Sequence, residues 1–331
     1  MATTGVRIEA EDQHDLQSDT DSALGSETAS STASLSSSVM NYQYENGRRY
    51  HAFRSGTYVL PNDDQEQDRL DLTHHILSLL LGGELYKSPL SDPQNILDVG
   101  TGTGIWAIDI ADKFPGAQVI ATDLSPIQPQ WVPPNLQFQV DDCETGWDFN
   151  QSFDLVHMRI LGGSIADWPQ LVKGAYDNLK PGGYLEVVDW ETWSQTDDGS
   201  VSQDSNFFKW QNDVNSAATQ FGREMNTASK LKGWVTGAGF TEVREEVLRV
   251  PISPWAKDKR LKHIGLYMQV LMEDSLESYS LALYTRVLGW TREELTVFLA
   301  EVRKDIKNRK HHLYTKLYRV WAKKPGPQES A

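Results

Sequence analysis

One cysteine, Cys143, occurs among the 331 residues of this chain, so cysteine chemistry is the first thing the sequence excludes. A single thiol can form no intramolecular disulfide and no cysteine metal cluster, which is typical of a reducing compartment. Long apolar runs are also missing, because the most apolar stretch, residues 76–81, falls far short of the roughly 20 residues that span a bilayer. We therefore expect a soluble intracellular protein with no membrane partner.

Positive charge is scarce as well. The chain has 46 acidic and 31 basic residues, which gives a formal net charge of −15 at pH 7. Non-specific binding to nucleic acids or anionic membranes needs clustered cations, because the phosphates of these partners are negative. The charge balance therefore argues against a direct nucleic-acid partner.

Two segments precede the most regular part of the sequence. Residues 1–40 are rich in Ser, Thr, Asp and Ala and hold almost no large apolar side chains, so they are predicted to be a disordered tail. Residues 41–94 are predicted to be a helical lead-in, with a helix that begins near Asp63 and ends at Gly82. This lead-in either covers the sheet or closes over a ligand as a lid.

Short apolar runs alternate with helical patterns from residue 95 to residue 325. Seven of these runs are predicted to be strands, at residues 96–99, 119–121, 136–140, 153–158, 184–189, 239–253 and 311–325. The alternation predicts an α/β fold with a doubly wound, mainly parallel, seven-stranded sheet. A polar and aromatic helical pattern at about residues 192–239 predicts a helical insertion after strand five.

The stretch Asn95–Leu124 has the layout of a nucleotide-binding βαβ unit, with a glycine-rich first turn and Asp123 after the second strand. Its glycines stand at positions 100, 102 and 104, whereas a dinucleotide-binding turn needs a glycine at position 105, which is Ile105. No G-K-[ST] sequence occurs at the turn, which excludes a P-loop. Asp98 lies just ahead of the turn, where its carboxylate would repel a pyrophosphate.

Three carboxylates end three consecutive predicted strands: Asp98, Asp123 and Asp142. Asp98 suits the cationic end of a ligand without phosphate, such as S-adenosylmethionine. Asp123 can accept hydrogen bonds from both ribose hydroxyls and Asp142 from the adenine amino group, while the backbone N–H of Cys143 can reach a ring nitrogen. Alternatives stay open here, because Asp98 can cap the next helix, Asp123 can be a turn residue and Asp141 can replace Asp142.

With these residues in view, the chain resembles the class I S-adenosylmethionine-dependent methyltransferases, and more narrowly the LaeA-like fungal methyltransferases. The resemblance covers about residues 42–191 and is carried by YENGRRYHAF, LPNDDQEQDRLDLTHH, ILDVGTGTGIWAIDIADKFP, ATDLSPIQPQWVPPN, VDDCETGW, FDLVHMRIL and LKPGGYLEVVDWE. It implies a Rossmann-like fold and S-adenosylmethionine as cofactor.

The resemblance also implies a role for each residue of the predicted cofactor site. Asp98 and the turn glycines Gly100, Gly102 and Gly104 would hold the methionine end, Asp123 the ribose, and Asp142 with Cys143 the adenine. Thr101 and Leu124 belong to the same predicted site.

Methyl transfer from a sulfonium requires mainly that the acceptor be held in line with the cofactor, and only a hydroxyl acceptor would want a general base. Candidate bases are His157, Asp189, Glu191 and His51. Positions at the carboxyl ends of strands favour the first three, and we predict His157 and Glu191 as catalytic residues. A structural or cofactor-lining role is the alternative for His157.

Two further patterns bear on the site. Six tryptophans flank its predicted mouth or the insertion, either as an aromatic wall for a planar acceptor or as ordinary packing: Trp131, Trp147, Trp190, Trp193, Trp210 and Trp234. The adjacent pairs His74-His75 and His311-His312 point apart on a helix or strand, so no metal site is predicted.

The sequence leaves two functional hypotheses. In the first, a cytoplasmic enzyme of secondary metabolism transfers a methyl group to a small-molecule acceptor. In the second, a LaeA-like nuclear regulator acts through protein partners, with little small-molecule turnover. The character of the insertion separates them, since a closed apolar pocket would favour a small acceptor and an open shelf a protein.

Overall fold

A computed structural model describes residues 42–51, 53 and 60–326 of the chain. The predicted disordered tail, residues 1–40, lies outside the described residues. The same holds for most of the loop between the first hairpin and the first helix.

The strands of the described chain fall into two sheets. A short hairpin pairs β1 (Gln43–Glu45) with β2 (Arg48–Tyr50). The main sheet comprises β3 (Asn95–Val99), β4 (Gln118–Asp123), β5 (Leu136–Val140), β6 (Phe153–Arg159), β7 (Leu179–Trp190), β8 (Thr241–Pro251) and β9 (Tyr314–Lys323).

Helices alternate with these strands and cover them. They are α1 (Asp64–Leu81), α2 (Ile105–Lys113), α3 (Trp168–Asn178), α4 (Asn206–Phe221), α5 (Leu231–Gly237), α6 (Lys259–Ala282) and α7 (Arg292–Lys307). A short 3₁₀ turn (Ala228–Lys230) precedes α5, and a π-turn (Leu283–Val287) follows α6.

The seven strands of the main sheet are ordered β5-β4-β3-β6-β7-β9-β8. Neighbours from β5 to β7 pair in parallel, and β9 pairs antiparallel with both β7 and β8. The predicted fold class, a doubly wound and mainly parallel seven-stranded sheet, is confirmed.

Burial on both faces explains the apolar runs of the central strands. In β3, Ile96, Leu97 and Val99 are at most 1% exposed, since helices cover the sheet from both sides. Against one face packs α2, which buries Trp106 and Ile110. A parallel strand of this kind needs apolar residues on both faces, and for that reason Asp98 stands out within it.

The order of the sheet also fixes the position of the site. From β3 the chain moves outward through β4 to β5, and then returns to the other side of β3 with β6. The carboxyl ends of β3 and β6 therefore flank the point where the winding reverses, which is where open α/β sheets bind ligands.

A helical layer lies over that end of the sheet, and it draws on more of the chain than the predicted insertion. One apolar cluster includes Ile76 of α1, Phe207 of α4, Met268 of α6 and Leu299 of α7. Residues from the lead-in and from the segment between β8 and β9 thus join those of the insertion. The pattern of residues 192–239 alone could not show this, since these helices are distant in sequence.

Local signals set the helix boundaries well. Asp63 caps α1 by accepting a hydrogen bond from the Glu66 N–H, and Gly82 ends the helix with φ 65°. The side chain of Glu66 does not complete a capping box, because it binds Arg69 and Ser278 instead.

Within the described part of the chain, no helix has the length and apolar character that a membrane span needs.

Candidate active site

The glycine-rich turn connects β3 to α2 with three residues in the left-handed region. Gly100, Gly102 and Gly104 have φ values of 68°, 60° and 83°, which glycine adopts without strain. A Cβ atom would lie 2.4 Å from the Leu161 side chain at Gly100 and 2.4 Å from the Phe138 ring at Gly104. The turn thus needs glycine for both its conformation and its close packing.

Asp98 lies at the floor of the cleft in front of this turn. Its side chain is held from two sides, because Oδ2 accepts a 2.6 Å hydrogen bond from the Thr101 hydroxyl and Oδ1 lies 2.7 Å from His157 Nδ1. The residue is 3% exposed and still lines the cleft. These contacts fix the direction in which the carboxylate faces a ligand.

Asp123 ends β4 and contacts the same turn. Its two oxygens accept hydrogen bonds from the backbone N–H groups of Gly102 (2.8 Å) and Ser125 (2.9 Å). Burial raises the pKa of Asp123 to about 6, although these N–H groups act in the opposite direction. A carboxylate has about four lone-pair sites, so both oxygens retain capacity for further donors.

Asp142 and Cys143 lie on the wall beyond β5. Asp142 Oδ1 accepts from the Glu144 N–H at 3.0 Å, and the Cys143 carbonyl accepts from Trp147 Nε1 at 2.9 Å. Burial raises the pKa of the Cys143 thiol, which therefore stays protonated and unreactive. Asp141 also lines the cleft, so both neighbouring acids face the position predicted for adenine.

Helix α1 forms the roof of the cleft. Asp71 accepts a 2.7 Å hydrogen bond from the Thr103 hydroxyl, which ties the helix to the glycine turn. Asn62, just before α1, donates to Ser125 Oγ after β4 at 3.1 Å. The cleft encloses about 1150 Å³ with its open mouth included, against roughly 300–1,000 Å³ for typical small-molecule sites. Thr101 and Leu124 line it too.

The predicted base His157 lies outside both the cleft and the second pocket described below. The ring is 1% exposed and lies behind Asp98, stacked on Trp106 with 3.6 Å between ring centroids. Its bond to Asp98 favours the structural alternative, and the catalytic role of His157 stays a prediction.

Three charged residues of the cleft were not predicted from the sequence, and one of them, Glu144, directly follows the predicted pair Asp142 and Cys143. Glu66 faces the cleft from α1, and Arg159 faces it from the end of β6. A signal existed for Arg159, because an arginine directly follows a buried strand in FDLVHMR. None distinguished Glu66, since acidic residues are ordinary in the first turn of a helix.

A second pocket lies beside the cleft, between α4 and α6. It encloses about 690 Å³ with its mouth included, and most of its wall is apolar or aromatic. The lining includes three of the six methionines, two tryptophans and a tyrosine: Met225, Met268, Met272, Trp190, Trp210 and Tyr279. Such a wall fits an apolar small molecule, because methionine side chains adapt their shape to what they contact.

One buried ion pair separates the two spaces. Glu66 and Arg69 stand one turn apart on α1, and Arg69 Nε and Nη2 lie 2.9 and 2.5 Å from Glu66 Oε1. Glu66 lines the cleft, whereas Arg69 lines the second pocket and lies over the Tyr279 ring. The carboxylate thus faces one space and the guanidinium the other.

The remaining candidate bases lie in different places. Glu191 lines the second pocket at 9% exposure, with Lys316 Nζ 3.1 Å from its Oε2. Asp189 is 2% exposed and accepts from the Gly162 and Trp190 N–H groups, and burial raises its pKa to about 7. His51 is also buried, with Nδ1 bonded to the Phe53 carbonyl, and lines neither space.

The predicted aromatic wall is made by two of the six tryptophans. Trp190 and Trp210 line the second pocket, and Trp210 Nε1 donates to Ser280 at 2.7 Å. Trp147 and Trp234 pack against a core cluster, and Trp131 is 95% exposed.

Among the described residues, no group of three or more His, Cys, Asp or Glu side chains is arranged to hold a metal ion.

A glycine turn and acidic strand ends at the switch point of a doubly wound sheet define the class I S-adenosylmethionine-dependent methyltransferases. Comparison with known proteins agrees. The family described as "Methyltransferase domain" matches residues 65–245, more than half of the chain. The chain belongs to the LaeA-like methyltransferases of this class, whose cofactor is S-adenosylmethionine.

Three curated relatives support this membership. "Methyltransferase pytC" of Aspergillus terreus is 40% identical over 323 residues, which covers 97% of this chain and 99% of the relative. "Secondary metabolism regulator LAE1" of Cochliobolus heterostrophus is 38% identical and covers 86% and 95%. "Protein-methionine methyltransferase laeA" of Emericella nidulans is 34% identical and covers 91% and 81%.

Proposed function

We propose that the cleft holds S-adenosylmethionine and that the chain methylates a small molecule of secondary metabolism bound in the second pocket. The donor set fits the cofactor. Asp98 faces its cationic methionine end, and the backbone of the turn allows close approach of the ligand at Gly100, Thr101, Gly102 and Gly104. Asp123 and Leu124 lie beside the ribose. Asp142 and Cys143 lie beside the adenine. When bound, the cofactor supplies an activated methyl group and its own leaving group.

The work of the protein is then to place the acceptor. Orientation of a nucleophile against the methyl group supplies most of the acceleration that such a transfer needs. The walls of the second pocket exclude water and hold an apolar acceptor. The methyl group is transferred from the cleft to the second pocket, and the Glu66–Arg69 pair lies at the boundary between these two spaces.

The single observation that carries the small-molecule proposal is this second pocket. A concave, mostly apolar site beside the cofactor cleft suits a compact acceptor better than an extended peptide, whose backbone would leave polar groups unpaired in it.

Glu191 is the predicted base that this pocket retains. We propose that it accepts a hydrogen bond, or a proton, from an acceptor hydroxyl. The ammonium of Lys316 balances its charge when no acceptor is bound. An acceptor that is already anionic would need no base.

The second candidate function is regulation through methylation of a protein. It is favoured by two relatives, one named a secondary metabolism regulator and one a protein-methionine methyltransferase. In that case a methionine or other short side chain would enter the pocket from a docked protein. We assign the enzyme of the first hypothesis to the cytoplasm and the regulator of the second to the nucleus.

One experiment distinguishes the two candidates. The purified chain is incubated with S-adenosylmethionine labelled in its methyl group, together with a small-molecule extract or a protein extract of the producing organism. We expect label in the small-molecule fraction, and a deletion strain that lacks a metabolite heavier by one methyl group. Label in protein alone would overturn the small-molecule proposal and support the regulator.

A further inference from the structure

Arg159, the last residue of β6, presents a guanidinium to the cofactor cleft from a partly buried position. It lines the cleft together with Asp98, the penultimate residue of the neighbouring strand β3. Burial lowers the pKa of Arg159, and the nearby carboxylates of Asp98 and Asp109 act in the opposite direction. The group remains charged, because arginine keeps its proton in proteins.

The guanidinium makes few hydrogen bonds for its five N–H donors. Its Nη1 and Nη2 atoms each lie 3.3 Å from His74 Nδ1. Within the described chain it forms no ion pair with a carboxylate inside 4.0 Å, and Asp98 itself is bonded to Thr101 and His157. A buried guanidinium that no carboxylate contacts directly is costly, so the site suits an anionic ligand.

A chain of contacts on α1 and α2 sets the direction of this guanidinium. Burial lowers the pKa of His74 to about 4, so its ring is neutral. Nδ1 then accepts from Arg159, while Nε2 donates to Asp109 Oδ2 at 3.1 Å. This arrangement fixes the tautomer of His74 and leaves the rest of the guanidinium facing the cleft.

We propose that Arg159 binds the α-carboxylate of S-adenosylmethionine while Asp98 binds its α-ammonium. The two side chains place opposite charges side by side without neutralising each other, which matches the two charged groups of an amino acid. Guanidinium is the group best suited to a carboxylate, since its planar fork donates two parallel hydrogen bonds. The inference rests on the proposed placement of the cofactor in the cleft and is independent of the acceptor.

The test is calorimetric titration of the full chain with three ligands. S-Adenosylmethionine has both charged groups, decarboxylated S-adenosylmethionine lacks only the carboxylate, and 5′-methylthioadenosine lacks the whole amino-acid end. The wild type should bind the first at least about tenfold more tightly than the second. Equal affinity for these two would overturn the proposal without any variant.

Arg159→Met should abolish this preference. Its affinity for S-adenosylmethionine should fall about 10- to 100-fold, because a charge-assisted, bidentate contact is lost, while its affinity for 5′-methylthioadenosine stays within twofold of the wild type. Asp98→Asn should weaken both amine-bearing ligands together. Equal weakening of all three ligands by Arg159→Met would show a merely structural residue and overturn the assignment.

Two controls complete the design. Arg244→Met removes an exposed arginine on the edge strand β8 and should change no affinity. Arg159→Lys keeps the charge without the fork and should restore part of the preference for the carboxylate. If the wild type binds none of the three ligands, the proposed placement of the cofactor in the cleft is itself contradicted. Equal binding of S-adenosylmethionine and its decarboxylated form contradicts only the role of Arg159.

Discussion

The cofactor cleft and the second pocket lie side by side, yet the chain builds them in opposite ways. The turn of the cleft and its predicted carboxylates come from a nearly continuous stretch, Asp98 to Cys143, where backbone geometry decides each position. The second pocket gathers side chains from α1, β7, α4, α6 and β9, where only their size and polarity matter. A local motif thus builds the cofactor cleft, and packing between distant segments of the chain builds the second pocket.

This difference decided what could be predicted from the sequence. Alternating apolar runs predicted the sheet, and the spacing of Gly100, Gly102 and Gly104 with Asp98 predicted the cofactor. The second pocket could not be predicted, because Met268 and Met272 have the spacing of any core-facing helix residues. For His157 the sequence could not decide between a catalytic and a structural role, since position at a strand end does not say whether a ring points into the cleft or behind it.

The largest effect is expected for a substitution in the cleft, at Gly104. Gly104→Val should weaken binding of S-adenosylhomocysteine by at least about 100-fold, which is about 2.7 kcal/mol. A branched side chain is strained at φ 83° and collides with Phe138. Calorimetry measures the loss. Gly116→Ala, where an added Cβ meets nothing within 4 Å, is the matched control and should bind normally.

Filling the second pocket should spare the cleft. Ser275 lines that pocket from α6 at 3% exposure, so Ser275→Phe places a ring where the acceptor belongs. We expect methyl transfer to the small-molecule fraction to fall by about 30-fold, with binding of S-adenosylhomocysteine within twofold of the wild type. Val270→Phe, on the exposed side of the same helix, should change neither. Equal loss of cofactor binding in Ser275→Phe would show that the two regions are not separate.

Lowering the pH should weaken cofactor binding in the cleft, because Asp123 becomes protonated. Burial raises the pKa of this carboxyl to about 6, and in the proposed site the ribose hydroxyls donate to its ionised form. Affinity should therefore be full well above pH 6 and fall as the carboxyl gains its proton, by about tenfold at pH 5, because one pH unit below the pKa about one carboxyl in eleven is ionised. Asp123→Asn should bind weakly with a much flatter pH profile between 5 and 8, and a wild-type profile as flat as that of the variant would contradict the assignment.

The smallest effect is expected far from both regions. Thr291 caps α7 by accepting from the Glu294 N–H, and the Glu294 carboxylate accepts from the Thr291 N–H. Thr291→Ala should lower the free energy of unfolding by about 1 kcal/mol, as other N-cap losses do. Urea denaturation measures this, with cofactor binding and methyl transfer unchanged. A change in cofactor binding or in methyl transfer would mean that α7 influences the site.

Helix α1 belongs to both regions, because Glu66 faces one and Arg69 the other. A ligand that shifts this turn from one side changes the free energy of binding on the other side. By thermodynamic linkage the effect must be reciprocal, so the factor by which cofactor changes acceptor affinity equals the factor by which acceptor changes cofactor affinity. A shift of the Glu66–Arg69 pair by one ligand would therefore change the affinity for the other, by the same factor in both directions.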